Sequence, residues 1–438
     1  MANNIYFLML CVALGAVVAY RGNDLPPGPY CGTPGRQQCC DNRQDACSHR
    51  ILDTLCYCDQ FCNRTSSPDD CCPDYEEVCL GIKPTPPPQP LQESCKMNGK
   101  TYFPLEGADT TMKDCNTCKC ILREPNKAEW DCETDECVLN EEVIRILNRP
   151  GYSWRSANYS QFRQYKLKDA LVYKLGTLPL SRETLRLNPI RPIDNGTLIP
   201  RNFDAREKWR GFISPVVDQG WCGSDWAVVV ATVTSDRYAI QSTGAEVLVL
   251  SPQSLLSCSR KNQRGCDGGH IDIAWNFAKN FGLVDEDCYP YEATASACKL
   301  RKHRTLQEEG CRPAVPRRTQ RYKVGPPGRL QKEKDIMLDI MQSGPVHAIM
   351  SVYQDFFHYQ DGIYRRSMHG NNQLKGLHSV RIVGWGENRG EKYWIVANSW
   401  GPWWGENGYF KIARGVNTAD IETFVISVLS EVTESYKK

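Results

Sequence analysis

The sequence predicts an α+β chain in which small disulfide-rich modules precede one large domain. Three observations carry this reading. Cysteine is abundant and clustered, with 23 in 438 residues. A proline run at residues 84–90 separates the first two clusters. The C-terminal half combines one long helical pattern with several short β-type apolar runs.

The N-terminus sets the compartment. "IYFLMLCVALGAVVA", residues 5–19, is an apolar run with small residues near its end. It is shorter than the ~20 residues a membrane-spanning helix needs, and no second run of that length follows, so no membrane span is expected. Residues 1–19 read as a cleaved signal peptide, with a buried helix as the alternative. Cleavage removes Cys11 and leaves an even number of cysteines, as in an oxidised, secreted protein. Asn63, Asn158 and Asn195 each open an Asn-x-Ser/Thr triplet and are candidate glycan acceptors. Net charge is +2, from 53 Lys+Arg against 51 Asp+Glu, which gives no ground for nucleic acid as a partner.

Ten cysteines fall within residues 31–79, six within 95–137, and six within 222–311. The first segment, 20–80, is too short to bury much apolar area and depends on covalent staples. Its "CYCDQFC" and "DCCPDYEEVC" resemble the somatomedin B module, although ten cysteines exceed the eight usual there. Zinc is the rival explanation for packed cysteines. The scarcity of His and the oxidising compartment argue against it, so no metal and no cofactor are expected. Residues 81–94 form a semi-rigid polyproline-like linker. The segment 95–137, "CKMNGKTYFPLEGADTTMKDCNTCKC" to "WDCETDEC", is similar to von Willebrand C or follistatin-type repeats, which usually bind partners.

Residues 138–200 contain no cysteine. "EEVIRILNRPGYSWRSANYSQF" has a helical apolar stripe ended by Pro150-Gly151. Its position ahead of the large domain resembles a protease propeptide; a plain interdomain linker is the alternative.

The last segment, 201–430, carries "VVDQGWCGSDWA", "LSPQSLLSCS", "GCDGGHIDIAW", "SGPVHAIMSVYQDFFHYQDGIY", "HSVRIVGWG" and "ANSWGPWWGENGYF" in that order. These six motifs resemble the papain-like cysteine peptidases, the cathepsin B branch in particular. "DWAVVVATVTSDRYAIQ" suits a buried helix, and "SVRIVGWG", "KYWIVANSW" and "GYFKIARG" suit strands. The resemblance implies a papain-like two-lobed domain, helical on one side and β-barrel-like on the other, with a cleft between.

Amide cleavage by this route needs a thiolate activated by an imidazole, a group orienting the imidazole, and donors for the oxyanion. The resemblance assigns the imidazole to His378, the orienting amide to Asn398 and the oxyanion-side amide to Gln219. It assigns the thiol position to Asp225. Cys222 belongs by the same resemblance to a disulfide, with Cys266 as its expected partner. Gly268 and Gly269 would line the cleft, and Trp400 would shield the Asn–His pair. Survival of a cleft able to hold an extended chain or a hydrophobic tail is one reading, and retention of these residues for fold stability alone is the other. A carboxylate at a helix N-terminus, opposite an imidazolium, is stabilised as an anion and so is a poor nucleophile and a poor base toward amides. An aspartic mechanism needs two carboxylates sharing a proton, and these motifs hold one. The domain therefore reads as a non-enzyme that has kept the charge pattern of the site and lost its thiol.

The paired histidines of the cathepsin B occluding loop are missing between Cys288 and Cys311, where His303 stands alone. Residues 299–329 instead hold ten Lys/Arg, with Arg317, Arg318 and Arg321 as candidate binders of sulfated glycosaminoglycans. An ordinary solvated loop, or a site of proteolytic nicking, is the alternative.

Taken together, the modules resemble the tubulointerstitial nephritis antigen-like group of secreted non-catalytic proteins, in which a hydroxyl usually replaces the thiol. The resemblance implies an extracellular matrix or adhesion role with matrix components or integrin-type receptors, or carriage of a lipidated Wnt-class ligand. A decoy that binds peptidase substrates or inhibitors, and a hydrolase with altered chemistry, are the competing expectations.

Overall fold

In the computed structural model the described residues are 28–35, 39–51, 54–62, 70–83, 94–104, 110–124, 127–196, 198–301, 304–368 and 374–432. The expected signal peptide, Asn63 and the proline run lie outside them. The chain divides at residue 92/93 into two compact units.

In the first unit a hairpin of β1 (Ser48–Ile51) and β2 (Thr54–Tyr57) accompanies one short helix, α1 (Tyr75–Cys79). Its core is mostly cystine, with Ile51 and Tyr75 as the other buried hydrophobic side chains among the described residues. Five disulfides hold it: Cys31–Cys58, Cys39–Cys79, Cys40–Cys47, Cys56–Cys72 and Cys62–Cys71. Covalent closure stands in for the apolar area that so few residues cannot supply.

The second unit begins with the other small module. A hairpin of β3 (Cys95–Met97) and β4 (Lys100–Tyr102) is followed by a three-stranded sheet of β5 (Thr110–Lys113), β6 (Asn116–Glu124) and β7 (Lys127–Cys132). Its disulfides are Cys95–Cys120, Cys115–Cys137 and Cys118–Cys132.

Residues 138–200 follow as an ordered strap. Asn140 caps α2 (Glu141–Leu147) by accepting from the Glu142 and Val143 amides, and β8 (Trp154–Ser156) joins the edge of the main sheet. Next come α3 (Leu167–Lys174) and α4 (Arg182–Leu185). Val138, Leu147, Trp154, Phe162, Leu167 and Ala170 are buried in the same cluster as the sheet's own core. These six side chains thus form part of the core of the neighbouring domain.

The large domain opens with β9 (Phe203–Asp204) and α5 (Ala205–Lys208). Its central helix, α6 (Asp225–Gln241), is buried on every side from Asp225 to Ile240, as an apolar helix in a core should be. Hydroxyls of Thr232, Thr234 and Ser235 donate back to helix carbonyls. Asp236 pairs with Arg381, and Arg237 reaches Asp339 and the carbonyls of Gly344, Pro345 and Val428. α7 (Pro252–Cys258) and α8 (Ile271–Asn280) pack on α6 to form the helical lobe.

The other lobe comprises β10 (Gly328–Leu330), α9 (Glu333–Ser343), β11 (Val346–Tyr353), β12 (Tyr359–Tyr364), β13 (Leu374–Asn388), β14 (Glu391–Ala397), β15 (Tyr409–Ala413) and β16 (Phe424–Ser427). The strand order is β10-β16-β11-β13-β14-β15-β12-β8, with β9 added on β13. The helix and strands expected from "DWAVVV", "SVRIVGWG", "KYWIVANSW" and "GYFKIARG" are α6, β13, β14 and β15. Cys222–Cys266, Cys258–Cys298 and Cys288–Cys311 complete the pairing of the cysteines from Cys31 onward.

Candidate functional site

Where the two lobes meet, α6 presents its first residue, Asp225, to His378 on β13, and both are fully buried. Asp225 Oδ2 lies 2.6 Å from His378 Nδ1. On the ring's other side, Nε2 is 2.8 Å from Asn398 Oδ1. That amide oxygen also accepts from the Ser399 N–H at 2.8 Å, which fixes which end of Asn398 faces the ring. Both ring nitrogens of His378 therefore face side-chain oxygens. Trp400 packs over this pair, its ring centre 5.2 Å from that of His378.

The carboxylate is saturated. Besides His378, Oδ2 accepts from the Ser379 amide at 2.9 Å and the Thr177 hydroxyl at 3.0 Å, while Oδ1 accepts from the Trp226 amide at 2.9 Å. Because a carboxylate only accepts, the Thr177 proton points at Asp225, and the Thr177 oxygen must accept from Ser379 Oγ, 2.7 Å away. Ser379 in turn accepts from His347 Nε2 at 2.9 Å, and His347 Nδ1 accepts from the Trp275 indole at 3.1 Å. Burial pushes the His347 pKa down to about 3, so it serves as a neutral relay. One directed chain of hydrogen bonds thus runs from Trp275 in the helical lobe to Asp225.

Gln219 is also buried, but its side-chain N–H groups are engaged by the carbonyls of Cys222 (2.9 Å) and Tyr173 (3.2 Å). Its oxygen accepts from Ser399 Oγ at 2.6 Å. It offers no donor to an oxyanion in this arrangement. Cys222 is bonded to Cys266 as expected.

The cleft between the lobes is occupied by the chain itself. The strap passes through it: the Gly269 amide donates to Gly176 O at 2.8 Å, and the Leu178 amide donates to Gly269 O at 3.0 Å. Thr177 bridges Gly269 on one side and Leu377 on the other, so a single residue pairs with both lobes. The approach needs glycine. A Cβ on Gly176 would stand 1.9 Å from Gly223 O, and one on Gly223 would stand 2.4 Å from Val172 O. Gly268, at φ +116°, would meet Gly176 O at 2.7 Å if it bore a Cβ.

Lys174 closes the other end of the crossing. It is 2% exposed, donates to Gly220 O at 2.7 Å, and sits 5.0 Å and 5.9 Å from the ring centres of Trp221 and Trp403. Burial lowers its pKa to about 8. Lys174, Gly176, Thr177, Ser379 and His347 are the residues that sequence reasoning missed. Only the Gly-Thr pair following a helical pattern hinted at a break there.

The basic segment is more engaged than expected. Arg317 donates to Ala245 O at 3.1 Å, Arg318 to Val247 O, and Arg321 to Arg301 O at 3.2 Å while stacking 4.0 Å over Phe281. Arg317 is exposed, Arg318 and Arg321 are half-buried, and two of the three hold the 245–247 backbone. Of the glycan acceptors within the described residues, Asn158 and Asn195 are both exposed.

Comparison with known proteins agrees with this architecture. The family described as papain family cysteine protease matches residues 199–429. The rat protein "Tubulointerstitial nephritis antigen-like" is 40% identical over 430 residues, covering 92% of this chain and 89% of its own. Human "Tubulointerstitial nephritis antigen" is 40% identical over 436 residues, covering 93% and 88%. Among solved structures, procathepsin B S9 from Trypanosoma congolense aligns with a TM-score of 0.58 at 30% identity, covering 68% of this chain and all of that one. That share exceeds what residues 199–429 supply, so the likeness to the proform runs upstream into the strap. With the motifs in order, the two lobes in place and relatives matched along nearly their whole length, the chain belongs to the papain family of cysteine proteases, in its tubulointerstitial nephritis antigen group.

Proposed function

We propose that this is a secreted, non-catalytic papain-fold protein that acts by binding extracellular partners. The observation that carries the reading is the saturated Asp225 carboxylate, which stands opposite His378 and accepts four hydrogen bonds, three from its own domain and one from the strap. A carboxylate so held has its lone pairs engaged by donors, which leaves it a poor nucleophile toward an amide. Gln219 has no free N–H for a tetrahedral intermediate, which removes a second requirement of acyl transfer. Occupation of Gly269 by residues 176–178 speaks against the decoy reading, because an inhibitor or substrate strand would need that same edge.

The eleven disulfides, the exposed Asn158 and Asn195 and the names of the relatives support secretion and an extracellular site of action. The partners we favour are matrix components or integrin-type receptors. Carriage of a lipidated Wnt-class ligand is the second reading; with the cleft filled, its acyl chain would have to bind elsewhere. Sulfated glycosaminoglycan binding through Arg317, Arg318 and Arg321 requires those side chains to leave their carbonyl partners.

The test uses protein purified from conditioned medium, assayed on fluorogenic peptides beside an Asp225→Cys variant. The native protein should show no turnover. Turnover that disappears on His378→Ala would overturn the non-catalytic reading. Proximity labelling from the same medium should recover matrix or receptor proteins; recovery of peptidase inhibitors alone would favour the decoy.

A further inference from the structure

Asn158 lies in an extended stretch whose position is set by its neighbours. The Ala157 amide donates to His358 O at 2.8 Å. The Tyr159 hydroxyl donates to Tyr359 O at 2.7 Å and accepts from the Gly405 amide at 2.8 Å. With the residues on both sides pinned to the large domain, the exposed Asn158 is fixed in place along the chain. It lines a groove of about 520 Å³ between the second cysteine-rich module and the strap. That volume falls in the ~300–1,000 Å³ range of small-ligand sites.

Part of the groove's lining suits a sugar, although Lys96, Lys113, Asp114, Glu141 and Arg163 also line it. Trp130 lines it, half-buried and wedged edge-on against Tyr102 with ring centres 5.3 Å apart. Met97 and the exposed Met112 extend the apolar wall, and Asn98 and Gln164 add amide groups. An N-acetylhexosamine has one apolar C–H face to stack on an indole, and hydroxyl and acetamide groups to meet side-chain amides. The module is tied to the strap at the other end. Lys166 Nζ lies 2.8 Å from both Glu133 and Asp135, and the Leu167 amide donates to Glu136 O at 2.7 Å. The groove is the gap that those ties leave.

We propose that Asn158 carries an N-linked glycan whose first N-acetylglucosamine units seat in this groove against Trp130 and brace the module on the strap. The attachment is ordinary transfer from a lipid-pyrophosphate oligosaccharide. Asn158 Nδ2 loses a proton and bonds to the anomeric carbon, and the lipid pyrophosphate leaves with the electrons of the broken C–O bond. The inference rests on the secretory route proposed above, and recovery of the protein from the medium tests that route separately.

The experiment starts with secreted protein carrying Asn63→Gln and Asn195→Gln, so that one acceptor remains. Glycopeptide mass spectrometry should find Asn158 occupied. Hydrogen exchange is then compared before and after enzymatic removal of the whole glycan from the folded protein. Removal should speed exchange in β3 and β5 severalfold and leave α6 unchanged. Trimming to a single N-acetylglucosamine should preserve most of the protection. An unmodified Asn158, or a glycan whose removal changes nothing in β3 and β5, overturns the proposal. Because the sugar is removed after folding, a folding defect cannot mimic either result.

Discussion

The Thr177 hydroxyl and the Asp225 carboxylate are joined at 3.0 Å across the meeting of the lobes, though 48 residues apart in sequence. A strap residue thus contacts the side chain at the N-terminus of the central helix. The contact is buried at both ends, and Thr177 is at once donor to Asp225 and acceptor from Ser379.

Replacing Thr177 by Val keeps the shape and removes both roles. Asp225 loses a donor and the Ser379 proton loses its acceptor. A buried group left without its partner costs roughly 1–3 kcal/mol. Thr177→Val should lower the unfolding free energy by that order and speed exchange of the Leu178 amide. An unchanged denaturation midpoint would show that the hydroxyl contributes nothing.

Asp225 should be harder to replace than a surface acid. Asp225→Ala leaves His378 Nδ1 buried without its acceptor, together with three orphaned donors in the Ser379 and Trp226 N–H groups and the Thr177 hydroxyl. Breaking a buried pair from one side costs about 3–5 kcal/mol. Asp225→Asn, which keeps a carbonyl acceptor, should lose less. Equal stability of the two variants in denaturant titration would contradict the role given to the carboxylate.

Lys174 gives the strap a pH response with a definite sign. Its folded pKa is lowered to about 8 by burial, against 10.5 ordinarily. Between those values the unfolded chain holds a proton that the folded one has released, so stability from this group rises as pH increases from about 8 to about 10.5. Below pH 8 the folded protein carries the full cost of an enclosed ammonium. Lys174→Met should flatten that part of the stability–pH curve. A curve with the same slope in both proteins would assign the response to other groups.

Much of the large domain was legible because its signals are local. The apolar residues of α6 fill every face of the helix, and β13 to β15 announce themselves as β-branched and aromatic runs. His378, Asn398, Gln219 and Asp225 were readable from their motifs. What those motifs could not reveal was the occupancy of their neighbours. The segment "YKLGTLPL" has no periodicity, and Gly176 is required only because Gly223 comes within contact from a distant part of the chain. The basic segment shows the same limit. Ten cations spread over residues 299–329 give no sign that Arg317 and Arg318 direct donors onto the carbonyls of residues 245 and 247.

The strap is held on the domain without a disulfide, since no cysteine lies between Cys137 and Cys222. Its downstream exit is open, with Ile193 74% and Leu198 88% exposed. A protease that cuts there would generate two polypeptides without releasing either one. They would migrate together through native chromatography and separate only in denaturant, so a nicked form seen on a gel would not mean that the cleft had been vacated.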